Sequence, residues 1–337
     1  MLRKNPYSPD LRPLPPPGER PILIELRRGN AGESRHRVHA AICDASGKIV
    51  EHWGELGLEF FPRSAVKIIQ AASWLTPAIR QKFLLEEEEL SIACGSHEGE
   101  PVHVAVVEAW LKKIGLGVDA LSCGAHDPYH RESARALWRK GEAPCPLHNN
   151  CSGKHCGFLT ACLAEGWPTA GYTNYDHPLQ ARVRKVAGEF FSLELGARPW
   201  GIDGCGIPTY HVSLESLARA MAKLARPQSL GSQIQEAVEG LTAAIAAHPK
   251  LIGGAMSFSS KVVAETRGRV FAKMGAEGVY GLWIPESGLG IAVKCEDGAT
   301  RGSEAAVAAI LGSLGHPLRF YSGEITRWSG EVVGQIG

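Results

Sequence analysis

The sequence lacks most features that would quickly narrow its function. Its 337 residues hold no apolar run near the roughly 18 residues a membrane-spanning helix requires. No charge of one sign dominates: Lys and Arg total 36, Asp and Glu 35, for a formal net charge of +1. That balance argues against nucleic acid or an anionic membrane as a partner, since both are gripped by a broad basic field. Aromatic residues make up only 7%. No Cys-x-x-Cys pair marks a zinc ribbon. Gly153-Lys154 is followed by His155 and has no glycine five positions earlier, so it is not a phosphate-binding P-loop.

What is present is cysteine, nine residues of it, an odd number that cannot pair completely within one chain. The first 21 residues contain seven prolines and nothing like the apolar core of a secretory signal. A reducing, cytoplasmic setting is therefore expected, with thiols free, buried or bound to metal. Cys145, Cys151, Cys156 and Cys162 crowd into one window.

The proline-rich residues 1–21 read as an extended arm or disordered tail. Residues 22–337 read as a single domain, with no internal repeat and no dividing linker. Ile22 to Leu26 is a strand candidate, and Arg37–Cys43 and Lys48–Trp53 flank Asp44-Ala45-Ser46-Gly47 as a hairpin. A helical middle follows, about 64–260. Its helices are predicted over Ser64–Leu75, Pro101–Lys113, Arg131–Lys140, Ser152–Glu165, His177–Phe191, Ser213–Ala225 and Gln233–Ala247. Gly268–Lys273, Val279–Pro285 and Gly290–Lys294 read as an antiparallel meander, and Ser303–Leu314 as a closing helix. The class is α+β, with N- and C-terminal strands joined in one antiparallel sheet.

Five segments carry chemistry. Ser64 and Lys67, at i and i+3, share a helix face, so the amine can reach the hydroxyl. A neutral lysine could then act as base for an otherwise weak nucleophile; a capping serine and a solvated lysine would give the same pattern. In Cys94-Gly95-Ser96-His97, after the strand-like Leu90–Ala93, Ser96 is a second possible nucleophile, or a turn residue. Asn150-Cys151-Ser152-Gly153-Lys154-His155 and Asp203-Gly204-Cys205-Gly206 could each give a thiolate to a metal completed by one further ligand, or simply bury two small side chains. Lys273-Met274-Gly275 ends a strand with a small residue where substrate backbone could lie; an edge-strand lysine is the alternative.

Ser-x-x-Lys followed late by Lys-x-Gly resembles the serine β-lactamases and penicillin-binding proteins. The full set, with Pro62-Arg63-Ser64-Ala65-Val66-Lys67 at its head, resembles the Rhizobium-etli-type L-asparaginases, the inducible, thermolabile class, over roughly Ile22 to Leu314. This resemblance implies a β-lactamase- and glutaminase-like fold, a homodimer, and two Ser-Lys tandems, Ser64 with Lys67 and Ser96 with Lys273. It implies zinc held by Cys151, Lys154 and Cys205, with Lys154 neutral when it ligates. Asp203 would touch the metal's water or the substrate amine, and Arg63 the substrate carboxylate; a supporting position for His155 follows only from its place beside the ligands. The expected reaction is hydrolysis of L-asparagine to L-aspartate and ammonia, with Ser64 attacking and zinc positioning substrate. Alternatives are a glutaminase or other serine acylase of the same fold, or a non-catalytic zinc or amino-acid binding protein.

Overall fold

The strands form where aliphatic residues alternate. A computed structural model of the chain describes residues 14–337. In chain order its strands are β1 (Ile22–Arg28), β2 (Ala31–Cys43), β3 (Ile49–Trp53), β4 (Glu59–Phe60), β5 (Trp200–Ile202), β6 (Pro208–Tyr210), β7 (Val212–Ser213), β8 (Phe271–Gly275), β9 (Val279–Ile284), β10 (Leu289–Cys295), β11 (Glu324–Thr326) and β12 (Val332–Ile336). Along β1, Ile22, Ile24 and Leu26 are buried between more exposed neighbours, the period-2 signature of a sheet with one packed face. β9 is buried throughout, as a strand covered on both faces must be.

The main sheet is antiparallel and runs β11-β12-β1-β2-β10-β9-β8, with β3 paired to β2. The N-terminal strands therefore join the C-terminal ones, as expected, through β2 and β10, where Ala41 faces Ala292. One face packs on the helical middle, around Trp74, Trp110 and Phe158. The other is covered by the helices Phe258–Glu265 and Thr300–Ser313.

The helices Pro101–Lys113, Arg131–Lys140 and Ser152–Glu165 occupy their predicted spans. Pro101 opens the first, and Gly141 and Gly166 end the other two in the left-handed region, at φ 70° and 69°. Two segments differ from expectation. Ser64–Leu75 is a 3-10 turn, Arg63–Val66, leading into a short α-helix, Lys67–Ala72. Its start is bent by Arg63, whose φ is +51°. Leu90–Ala93, strand-like in sequence, lies in the helix Glu87–Ala93, nucleated by a capping box between Glu86 and Glu89.

Of the expected arm, Met1 to Pro13 lie outside the described residues. Pro15 accepts a hydrogen bond from Trp53 Nε1 at 2.8 Å, and Gly18 bridges to Trp53. No described helix is long and apolar enough to cross a membrane.

Candidate active site

Five segments converge: the Arg63–Lys67 turn, the Gly95–Glu98 loop, the residues 149–154 at a helix start, the turn between β5 and β6, and the end of β8. Two glycines allow the approach. A Cβ on Gly275 would lie 2.4 Å from the Pro62 carbonyl oxygen and 3.2 Å from the Ala65 nitrogen, so β8 reaches the Ser64 turn only without one. A Cβ on Gly153 would lie 2.5 Å from the Ile92 carbonyl oxygen, which fixes the Ser152–Glu165 helix against Glu87–Ala93.

Two buried lysines meet at one hydroxyl. Lys67 Nζ donates to Ser96 Oγ at 3.0 Å, to the Asn150 carbonyl at 3.2 Å, and to the Gly95 carbonyl. Lys273 Nζ lies 2.8 Å from both Ser96 Oγ and the Met274 carbonyl oxygen. Burial, and then the nearby Lys67 charge, push the Lys273 pKa well below its ordinary value. A neutral Lys273 can accept the Ser96 proton. The pairing of Ser96 with Lys273 is thus brought together. Ser64 stands half-buried on its turn, and among the described residues no hydrogen bond joins its hydroxyl to Lys67.

Beside this pair lies a sulfur–nitrogen cluster. Lys154 Nζ is 2.8 Å from Cys205 Sγ, and a hydrogen bond links Cys205 to Cys151. That hydrogen bond drives the Cys151 pKa well down, against burial and helped by Lys67 and Lys154, and drives the Cys205 pKa up. Burial alone would lower the Lys154 pKa, but Cys205 and Cys151 outweigh it and raise it. Two soft sulfurs and one amine, all buried, fit zinc once the metal displaces the lysine proton.

Asp203 closes the group. It sits in the turn where Asp203 N donates to the Ile207 carbonyl at 2.8 Å, and its carboxylate takes a hydrogen bond from Arg63 Nε at 2.7 Å. Burial raises its pKa, yet Lys154 and Arg63 together bring it below the ordinary carboxylate range. Arg63 and Asp203 are therefore already paired with one another.

Behind these groups stand two buried imidazoles, His155, already expected beside the ligands, and His97, to which the motifs assign no role. His97 Nε2 lies 2.7 Å from Ser152 Oγ, and the ring stacks on His103 with centroids 4.9 Å apart. His155 Nδ1 meets the Tyr172 hydroxyl at 2.6 Å, while its buried Nε2 has no hydrogen-bond partner among the described residues. A separate cluster, His36, Cys295 and Asp297, has its ligand atoms within 4.8 Å of one another. It is self-satisfied: Arg301 Nε donates to His36 Nε2 at 2.9 Å, so the ring proton sits on Nδ1, 2.6 Å from Asp297.

The family model for L-asparaginase II matches residues 24–337, beyond the Leu314 limit read from motifs. No curated protein matches the chain. Among solved structures it is similar to Mglu, with 12% identity, TM-score 0.44, and coverage of 84% of this chain and 68% of that one. With Mglu in its glutamate form the chain spans 62% of the other's length. It is also similar to a β-lactamase from Mycobacterium bovis (13% identity, TM-score 0.40, 82% and 94% of the two chains). Simvastatin synthase from Aspergillus terreus has 11% identity, TM-score 0.44, and coverage of 82% and 92%.

Proposed function

This chain belongs to the L-asparaginase II family, and on that premise we propose that it is an amidohydrolase cleaving L-asparagine to L-aspartate and ammonia by serine–lysine catalysis. The observation that carries the chemistry is Ser96 Oγ held by two buried lysines, one of them driven toward neutrality. A serine hydroxyl with a neutral amine beside it is an activated nucleophile.

In the reaction, a serine oxygen bonds to the side-chain amide carbon and its proton passes to a lysine. The carbon–nitrogen bond then breaks as that proton goes to the departing ammonia. Water next attacks the aspartyl ester, releasing aspartate and restoring the serine. The Ser-x-x-Lys motif assigns the attack to Ser64 with Lys67 as base. The hydrogen bonds favour a second reading in which Ser96 attacks and Lys273 takes its proton, because Lys67 is directed to Ser96. Arg63 is suited to the substrate carboxylate. Asp203, paired to Arg63, holds that guanidinium in position.

Cys151, Lys154 and Cys205 would hold zinc. When bound, zinc would supply positive charge that orients a small zwitterion. Homodimer assembly and a cytoplasmic setting belong to the same proposal. The test is ammonia release from asparagine and glutamine side by side: release from neither rules out the reading, and preference for glutamine replaces asparaginase with glutaminase.

A further inference from the structure

The serine loop and the cluster-bearing helix are pinned to each other by one imidazole. His97 follows Ser96 directly, in the loop between the helices Glu87–Ala93 and Pro101–Lys113. Ser96 faces the lysines, while His97 turns inward and is fully buried. The Gly99 N–H donates to its Nδ1 at 3.2 Å, so the ring proton is on Nε2. That proton is donated to Ser152 Oγ at 2.7 Å, and the Ser152 hydroxyl in turn lies 3.2 Å from the Leu147 carbonyl it donates to. Ser152 is also fully buried, one residue after Cys151 and two before Lys154. The backbone repeats the link: His97 N donates to the Asn150 carbonyl, which also accepts from Lys67.

We propose that His97, through its hydrogen bond to Ser152, is a positioning residue that sets Ser96 Oγ between Lys67 and Lys273 and ties that geometry to the Cys151–Lys154 turn. It does not transfer protons. Both ring nitrogens are engaged with the scaffold, and burial depresses its pKa, which keeps the ring neutral. Its neighbour has the same design: His103 Nδ1 accepts from Glu100 N, and its Nε2 is 3.1 Å from the Lys250 carbonyl. The stack thus locks the loop from behind. Displacement of a reacting atom by about 1 Å costs on the order of 100-fold in rate, so a loosened Ser96 appears in kcat.

This inference rests on the serine–lysine reading, and the experiment separates the two. Ammonia release is measured for the wild type, Ser152→Ala, His97→Asn and His97→Gln, with Tm and bound zinc recorded for each. Glutamine's side-chain amide can take the place of Nε2–H, whereas asparagine's stops short of it. Expected are kcat losses of roughly 10- to 100-fold for Ser152→Ala and His97→Asn, at nearly unchanged KM, with activity largely restored in His97→Gln. The double variant Ser152→Ala/His97→Asn should be no slower than the worse single one, because both break one contact. A wild type that hydrolyses asparagine while Ser152→Ala keeps wild-type kcat overturns the positioning role and leaves the catalytic reading intact. A wild type inactive on both amides defeats the catalytic reading itself. Loss of Tm in His97→Asn with kcat per folded molecule unchanged also overturns it, leaving His97 as core.

Discussion

Lys67 Nζ donates to Ser96 Oγ, 29 residues away in sequence, and not to Ser64, three residues before it. The consequence is one hydroxyl with two amines, and a second hydroxyl with no lysine bonded to it. The two serines should therefore differ sharply when tested.

If Ser96 is the attacking serine, Ser96→Ala abolishes the covalent aspartyl adduct seen by mass spectrometry after acid quench, while Ser64→Ala still forms it. The reverse pattern assigns the attack to Ser64. Loss of the nucleophile should lower kcat by about 10⁴-fold or more.

The base is tested through pH. Lys273 must be neutral to accept a proton, and its pKa is depressed by burial and by Lys67. Turnover should fall as pH drops through that depressed value and stay level above it. Lys273→Met should lose both the rate, by roughly 10²- to 10⁴-fold, and this pH limb. An unchanged limb in Lys273→Met would falsify the assignment.

Acid should unfold the protein early. Burial holds His97, His103 and His155 neutral, with pKa values below the ordinary 6.5. Below that ordinary value the unfolded chain binds more protons than the fold does. Their contribution is thus complete above pH 6.5 and is lost as pH falls toward the depressed folded values. Thermal melts across pH 4–8 (roughly the range where histidines titrate) should show Tm declining from the low sixes downward, with His155→Leu declining less.

Zinc can be read without activity. The wild type purified without chelator should carry roughly one zinc per chain, and Cys205→Ser about tenfold less. Equal metal content in the two proteins would remove Cys205 from the ligand set.

The approach of β8 to the Ser64 turn gives a backbone test. In Gly275→Ala the new Cβ would sit 2.4 Å from the Pro62 carbonyl, which cannot swing aside as a side chain could. A loss of about 1–3 kcal/mol in unfolding free energy is expected, with turnover falling alongside. An unaltered Tm would show that the turn yields.

Much of this fold is legible along the sequence because local chemistry and tertiary packing agree there. Pro101 and Gly141 mark helix ends that the packed protein keeps. Leu90–Ala93 misleads because four apolar-leaning residues carry no period, and the deciding signal is the Glu86–Glu89 cap before them. β11 and β12 escape notice because they are short, and they become strands only by pairing, β12 back onto β1 and β11 onto β12. In the site, motifs identify the reactive residue types, but spacing at i and i+3 gives Lys67 a reach and not a choice. The choice is made by Gly95 and Asn150, whose carbonyls hold the amine toward Ser96.

The order of strands also governs when the protein can become active. β2 waits for β10, and β1 for β12, while Lys273 reaches Ser96 across 177 residues. On the ribosome, a nascent chain that has already made both serines and all the helices of its middle still exposes unpaired strand edges and lacks its second amine. Activity should thus arise in one late step, as the last strands emerge, and the chain before that step is the form most dependent on chaperones.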